Sequence, residues 1–220
     1  MRMRKKKHGE ERIAACSDIM CVTPEENRGK WRQYLENKCG RPLPRGIELE
    51  IGCGKGAFIA ATAAKNNNTG YVALELVRDV LILAMEKVMA EGTDNIVFSN
   101  CNAEFCEKFF APGEISRIYL NFSDPWPKKK HAKRRLTAPA FLTAYRNMLS
   151  TGGEIRMKTD NAALFEFSLE TLPQNGFDIL FSTNDLHNSA LAPDNIMTEY
   201  EKNFSEAGNK INMLIAKRSG

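Results

Sequence analysis

The order of apolar and polar residues along the chain predicts strands that alternate with helices. From Ile47 onward, short apolar runs are bounded by turn residues, and the longer segments between them have helical periodicity. The predicted strands are 47–51, 71–76, 95–99, 116–121, 153–158, 177–182 and 211–216, and the predicted helices are 56–65, 79–91, 103–110, 138–149 and 161–173. This alternation, with strands that are apolar on both faces, is typical of an α/β fold with a largely parallel sheet between two layers of helices.

Two segments lie outside this alternating pattern. Thr23-Pro24-Glu25-Glu26 has the features of a helix start and predicts a helix that continues to about Lys38 and ends at Gly40. The stretch 183–197 has little periodicity, which predicts a mobile loop near the functional site. We therefore expect a single domain over residues 23–220, preceded by a basic N-terminal arm over residues 1–22, for which a flexible tail is the simpler interpretation.

Composition places the chain among ordinary globular proteins. Of its 220 residues, 43% are hydrophobic and 26% are charged, and no apolar run approaches the roughly 20 residues of a membrane span. The N-terminus lacks the apolar stretch of a signal peptide, so a cytoplasmic protein without a membrane partner is expected. The six cysteines form no C-x-x-C pair, so we expect reduced thiols and no metal site.

Positive charge is concentrated in two segments. Residues 2–7 carry five basic side chains and residues 128–135 carry six, with no acidic residue in either, although the whole chain has a net charge of only +4. Such concentration is typical of a surface that binds a polyanion. The alternative is that both segments are simply solvated, and for the N-terminal segment alone that alternative is favoured.

A glycine-rich turn follows the first predicted strand in "IELEIGCGKGAF". Gly52, Gly54 and Gly56 allow close backbone approach to a ligand, and Glu75 ends the second strand about 20 residues later. A carboxylate there suits ribose hydroxyls and favours an adenosine-containing ligand over a purely structural turn. The G-x-G-x-G spacing and the nearby Glu50 oppose a pyrophosphate and suit a cation, which favours S-adenosylmethionine over NAD.

Polar residues also follow the third, fourth and fifth strands. Asn102 could bind an adenine edge or cap the next helix, and the sequence leaves both open. Asp124, in "LNFSDPWPKKKHAKRRLT", lies between a strand and the basic run. Pro125 and Pro127 restrict the backbone around Trp126, which predicts a fixed position for the Asp124 carboxylate. Its alternative is a turn cap. Asp160 follows the fifth strand, where capping the next helix competes with a ligand role.

Together these motifs resemble the bacterial tRNA (guanine-N7)-methyltransferase family. The resemblance runs from about residue 20 to the C-terminus through "EIGCGKG", "ALE", "NFSDPWPKKKHAKRRL", "KTDN" and "TEYEKNF". It implies a class I methyltransferase fold, a Rossmann-like sheet of seven mostly parallel strands with an antiparallel last strand. It also implies methyl transfer from S-adenosylmethionine to N7 of a variable-loop guanine of tRNA, at position 46.

The same resemblance implies roles for individual residues. Asp124 is the expected catalytic residue. The expected donor site contains Glu50, Gly52, Gly54, Gly56, Glu75, Asn102 and Asp124, and the expected substrate site contains Lys128, Asp160, Thr198, Glu199, Tyr200 and Glu201. Asn102 departs from the family, which often has Asp there. A methyltransferase for another RNA position or a protein, and an inactive nucleic-acid-binding module, remain alternatives. A monomer or a homodimer is expected.

Overall fold

The computed structural model describes residues 8–220, which divide into two compact units. The first unit ends at Phe110 and the second begins at Ala111. Seven strands make up one sheet, and eight α-helices accompany it in the described part of the chain. The predicted α/β, Rossmann-like fold is therefore confirmed. The basic segment 2–7 lies outside the described residues, and the proposed division at residue 22 stays a prediction.

The first unit contains three parallel strands in the order β3-β2-β1. Its elements are α1 (Gly9–Ala15), α2 (Trp31–Cys39), β1 (Ile47–Ile51), α3 (Ala57–Lys65), β2 (Gly70–Leu74), α4 (Arg78–Glu91), β3 (Ile96–Ser99) and α5 (Cys106–Phe109). Val72 of β2 pairs with Leu49 on one side and Val97 on the other. Every residue of these strands is buried, which is why their sequences show little alternation.

Two helices of this unit, α1 and α2, are held by hydrogen bonds to residues far along the chain. The guanidinium of Arg12 in α1 donates to both carboxylate oxygens of Glu86 in α4, at 2.6 and 2.5 Å. Trp31, at the start of α2, is fully buried, and its indole nitrogen donates to the carbonyl of Phe109 at 2.8 Å. Part of the predicted N-terminal arm therefore forms a helix that pairs with α4.

The predicted single helix from Thr23 to Lys38 is wrong in its first half. A 3-10 helix, Pro24–Asn27, is followed by a break, and α2 begins only at Trp31. Gly29 has a φ of 78°, a left-handed conformation that a right-handed helix cannot contain. The predicted end at Gly40 is confirmed, because Gly40 caps α2 with a φ of 66°.

The second unit contains four strands in the order β4-β5-β7-β6. Its elements are β4 (Ile115–Asn121), α6 (Pro139–Met148), β5 (Leu149–Thr159), α7 (Ala162–Gln174), β6 (Phe177–Thr183), α8 (Glu199–Glu206) and β7 (Asn212–Arg218). β4 and β5 are parallel, whereas β7 is antiparallel to both neighbours, as the resemblance implied. The segments that leave β4 and β5 therefore emerge at the same edge of the sheet.

The segment 183–197 is irregular, as predicted, but it packs against β7. It contains two 3-10 helices, Leu186–Asn188 and Ala192–Asp194. Leu186 is fully buried with Ile211 and Met213, and its backbone nitrogen donates to the carbonyl of Ile211 at 2.8 Å. Across residues 8–220, no helix has the length and apolar character needed to cross a bilayer.

Candidate active-site residues

The three glycines after β1 differ in what surrounds them. All three have left-handed φ values, between 56° and 77°. A Cβ added to Gly56 would lie 2.7 Å from the Cβ of Ala84, so Gly56 permits the close packing of α3 against α4. A Cβ on Gly52 or Gly54 would meet no atom of the described residues within 4 Å. The first two glycines therefore leave open space over the turn, where a ligand could approach the backbone.

Glu75 fixes this turn to the end of β2. Its Oε2 accepts a hydrogen bond from the backbone nitrogen of Gly54 at 3.0 Å, and its Oε1 accepts one from Val77 at 2.8 Å. Glu50 lies in β1 opposite Ala73 and is only 2% exposed. The turn therefore has one buried and one half-buried carboxylate close by, an arrangement that favours a cationic ligand.

Two asparagines organise the segment after β3. The Oδ1 of Asn102 accepts from the backbone nitrogen of Glu104 at 3.0 Å and caps the following 3-10 helix. The capping interpretation of Asn102 is thus observed, and its adenine contact stays a prediction. Sequence reasoning missed Asn100, whose Nδ2 donates to the carbonyls of Glu75 and Leu76 at 2.7 and 3.0 Å. Asn100 ties the end of β3 to the end of β2.

Asp124 lies three residues beyond β4 and is exposed. It stands between two bulky residues with left-handed backbones, Phe122 with a φ of 53° and Trp126 with a φ of 42°. Such conformations cost about 1–3 kcal/mol each and persist only where surrounding contacts enforce them. The backbone nitrogen of Phe122 donates to the carbonyl of Lys158 at 2.8 Å, and its ring packs 5.0 Å from that of Tyr200. The segment around Asp124 is therefore anchored on its N-terminal side.

The basic run after Asp124 contains side chains in two different environments. Residues Lys129–Arg134 form a 3-10 helix, and five of the six cations of the run are exposed, namely Lys128, Lys129, Lys130, Lys133 and Arg134. Arg135 is half-buried and donates to the carbonyls of Pro125 and Trp126 at 3.0 and 3.2 Å. The four lysines of the run are therefore exposed, as the predicted polyanion-binding surface requires. Arg135 instead binds the turn of its own chain.

Asp160 lies directly after β5 and does not cap α7. The cap is Asn161, whose Oδ1 accepts from the backbone nitrogen of Leu164 at 2.9 Å. The hydroxyl of Tyr200, which is 49% exposed, is 3.4 Å from Oδ2 of Asp160. Burial and the adjacent Asp160 raise the pKa of Tyr200, so its hydroxyl stays protonated and donates to that carboxylate.

Glu201 is fully buried at the start of α8. Its Oε2 accepts from the ammonium of Lys158 at 2.6 Å, and its Oε1 accepts from Nδ2 of Asn195 at 2.6 Å and lies 2.9 Å from Nε2 of His187. Thr198 completes a capping box with it, since the Oγ1 of Thr198 accepts from the Glu201 nitrogen at 2.9 Å. Protein donors therefore engage both carboxylate oxygens, and the predicted substrate contact of Glu201 stays a prediction.

The charge state of Glu201 follows from these partners. Burial alone would raise its pKa, but the Lys158 ammonium and the hydrogen bonds from Lys158, His187 and Asn195 hold that pKa below its ordinary value. The carboxylate is therefore ionised near neutral pH. The capping box was readable in "TEYE", but the sequence contains no signal that pairs His187, Asn195 and Lys158 with one acid.

Comparison with known proteins gives relatives that match nearly the whole chain. The model of the family described as putative methyltransferase matches residues 44–214. A tRNA (guanine-N(7)-)-methyltransferase of Geobacillus sp. (strain WCH70) is 46% identical over 96% of this chain and 93% of the relative. A protein of the same name from Lachnoclostridium phytofermentans is 44% identical over 96% of this chain and 95% of the relative.

Solved structures with the same fold are more distant in sequence. The 16S rRNA methyltransferase KamB superposes with a TM-score of 0.62 at 12% identity, covering 86% of this chain and 92% of that one. TrmN from Thermus thermophilus has a TM-score of 0.57 at 20% identity, covering 85% of this chain and 48% of that one. At these identities the likeness supports the class I methyltransferase fold alone.

Proposed function

The chain belongs to the tRNA (guanine-N7)-methyltransferase family, and we propose that it transfers a methyl group from S-adenosylmethionine to N7 of a variable-loop guanine of tRNA, at position 46. The observation that carries this proposal is the 46% identity to a tRNA (guanine-N(7)-)-methyltransferase along 96% of the chain. We further propose that the enzyme works in the cytoplasm, as a monomer or a homodimer.

The turn after β1 fits the methyl donor. When bound, S-adenosylmethionine supplies an electrophilic methyl group on a positively charged sulfur. Gly52 and Gly54 leave the backbone open to a ligand, and the buried Glu50 adds negative charge that suits a cation. Glu75, which accepts hydrogen bonds from Gly54 and Val77, directly follows β2, where ribose hydroxyls are bound in related folds. Asn102 is assigned to the adenine.

The acceptor atom determines what the protein must contribute. Guanine N7 has an in-plane lone pair and no proton, so the protein need not supply a base to remove one. Its tasks are alignment and electrostatic support of the positive charge that develops on the purine ring. We assign the electrostatic task to Asp124, an exposed carboxylate within a backbone segment that has left-handed residues on both sides.

Recognition of the guanine is assigned to the loop after β5 and the start of α8. Guanine presents N1–H and an amino group as donors, and Asp160 offers an acceptor beside the exposed Tyr200. Thr198 and Glu199 belong to the same substrate segment. We assign Glu201 chiefly to holding this segment in place, because Lys158 and other protein donors already engage its oxygens.

The exposed cations after Asp124 are assigned to the phosphates of tRNA. Lys128, Lys129, Lys130 and Lys133 lie along and next to one short 3-10 helix, and all four are exposed. Lysine contacts to phosphate give affinity and orientation but carry little sequence information. Selection of guanine over other bases would therefore depend on Asp160 and its neighbours. Affinity for RNA as such would depend on the basic run.

The test is methylation of unmodified tRNA with an isotope-labelled donor, followed by nucleoside mass spectrometry. We expect 7-methylguanosine in the wild-type tRNA and none in a matched transcript that carries adenine at position 46. Another methylated nucleoside would establish a different RNA acceptor. Donor binding by calorimetry without any transfer to tRNA would contradict the proposal and leave a protein acceptor or an inactive binding module.

A further inference from the structure

Arg135 connects the turn after Asp124 to the start of α6. Its Nε donates to the carbonyl of Pro125 at 3.0 Å, and one terminal nitrogen donates to the carbonyl of Trp126 at 3.2 Å. Its own backbone is held as well, because its carbonyl accepts from the nitrogen of Ala138, the residue that precedes α6, at 2.9 Å. The guanidinium is therefore a fixed group that spans two adjacent carbonyls of the turn.

The surroundings of Arg135 select for arginine over lysine. Its guanidinium carbon lies 4.4 Å from the centre of the Phe167 ring in α7, which keeps the planar group in one orientation. A planar fork can donate to two carbonyls at once, whereas an ammonium on a flexible stem is a single point charge. Lysine at this position would keep the charge of the basic run and lose the paired hydrogen bonds.

The turn that Arg135 holds contains a strained residue. Trp126 has a φ of 42°, and backbone strain of this kind persists only when neighbouring groups enforce it. The guanidinium carbon of Arg134 lies 4.9 Å from the centre of the Trp126 ring, and the rings of Trp126 and His131 are 5.7 Å apart in a T-shaped arrangement. Arg135 supplies the hydrogen bonds that fix the two peptide groups on either side of Trp126, directly after Asp124 and Pro125.

We propose that Arg135 is a positioning residue for methyl transfer, because it fixes the backbone turn that carries Asp124. This rests on the proposed function, in which Asp124 supports the developing charge. Arg135 acts through the carbonyls of Pro125 and Trp126 and does not serve as a phosphate ligand. The basic run thus contains exposed cations that bind RNA and one arginine that fixes the geometry of the turn.

Arg135→Lys tests the proposal because it keeps the charge and removes the fork. We expect single-turnover methyl transfer, at saturating donor and tRNA, to fall by about tenfold to a hundredfold, since misplacement by about 1 Å has effects of this size. The tRNA dissociation constant and its salt dependence should stay within about twofold of wild type. Acrylamide quenching of tryptophan fluorescence should increase, because Trp126 becomes less constrained while Trp31 stays buried.

Two comparisons make the outcome decisive. Arg32→Lys, an exposed arginine on α2 that pairs with Glu36, is the matched control and should leave transfer and quenching unchanged. Lys133→Gln should weaken tRNA binding and flatten its salt dependence. If Arg135→Lys weakens tRNA binding as Lys133→Gln does, Arg135 is a phosphate ligand and the proposal is wrong. If Arg135→Lys transfers methyl groups at the wild-type rate, Arg135 has no role in transfer and the proposal is also wrong.

A second variant covers the case in which Arg135→Lys does not fold, which urea unfolding would reveal. Phe167→Leu removes the ring beside the guanidinium and leaves Arg135 itself intact. We expect a severalfold loss of transfer with tRNA affinity unchanged, and an unchanged transfer rate would overturn the proposal. If wild-type enzyme modifies no tRNA, the proposed function fails, whereas the quenching comparison still reports whether Arg135 holds the turn.

Discussion

The ammonium of Lys158 lies 2.6 Å from Oε2 of Glu201, and both side chains are buried. Lys158 is the next-to-last residue of β5, two residues before Asp160, and Glu201 is in the first turn of α8, directly after Tyr200. The ion pair therefore joins the two elements that carry the proposed guanine-binding residues. Breaking it should affect stability and the geometry of recognition together.

Removing the cation of this pair should be strongly destabilising. Lys158→Met leaves the Glu201 carboxylate without its ammonium, and breaking a buried ion pair from one side costs about 3–5 kcal/mol. The free energy of unfolding in urea measures this loss. Lys202→Met, an exposed lysine of the same helix as Glu201, is the control and should change it by less than about 0.5 kcal/mol. Equal losses in the two variants would contradict a stabilising role for the pair.

The same pair predicts an acid-sensitive contribution to stability. The pKa of Glu201 is lowered in the folded state. As the pH falls, its carboxylate is therefore protonated in unfolded chains at a higher pH than in folded ones. Its contribution is fully present above the unfolded value of about 4.5 and is lost as the pH decreases through the lower folded value. Glu201→Gln should therefore lose stability less steeply than wild type below about pH 4.5. Parallel stability curves for the two proteins in that range would be the contrary result.

Glu75 allows a test of the donor site alone. Glu75→Ala removes the acceptor for the backbone nitrogens of Gly54 and Val77, together with the carboxylate assigned to the ribose. We expect S-adenosylmethionine binding, measured by calorimetry, to weaken by about 1–3 kcal/mol, the usual loss when paired polar groups are left without partners. Glu91→Ala, an exposed acid at the end of α4, should not change it. Unchanged donor affinity for Glu75→Ala would exclude the ribose role.

The architecture was predictable from sequence because it depends on short-range patterns. Each predicted strand has a counterpart in the structure, and the capping box at Thr198 and Glu201 could be read from their spacing. The predicted helix at Thr23 failed because a single residue, Gly29, adopts a left-handed backbone. Local propensity does not specify which glycine will do so.

The candidate site was predictable only as a set of residue types. The sequence predicted that Asp124 follows a strand and lies near six cations, but it contained no signal that separates Arg135 from the other five. Only the folded chain separates Arg135, which binds the carbonyls of Pro125 and Trp126, from its exposed neighbours. The partners of Glu201 also come from distant positions, including His187, and long-range pairing of this kind leaves no periodic signal.

The exposed lysines after Asp124 should determine how tRNA binding depends on salt. Replacing Lys129, Lys130 and Lys133 with Gln should weaken binding and reduce the salt slope by roughly one for each phosphate that a lysine no longer neutralises. Donor affinity should not change. Lys65→Gln, an exposed lysine at the end of α3, serves as the control. If the triple variant keeps the wild-type slope in filter binding at several salt concentrations, these lysines do not bind phosphate.

Asp124 and Asp160 should affect different steps of the reaction. Asp124→Asn keeps the side-chain shape and removes the charge that supports the developing cation, so we expect single-turnover transfer to fall about a hundredfold or more. Affinity for tRNA should be nearly intact, because the basic run is unchanged. Asp160→Ala removes the acceptor beside Tyr200 and should lower kcat/KM for tRNA, with donor binding to the free enzyme unchanged.

The decisive measurement compares the two variants side by side, at saturating donor and tRNA and again at limiting tRNA. Asp124→Asn should be slow under both conditions, since removal of transition-state support lowers kcat and kcat/KM together. Asp160→Ala should recover part of its rate at saturating tRNA if Asp160 contributes mainly to holding the guanine in place. A near wild-type rate for Asp124→Asn would make this acid a turn residue, because a fixed carboxylate that supports charge in the transition state cannot be neutralised without slowing transfer.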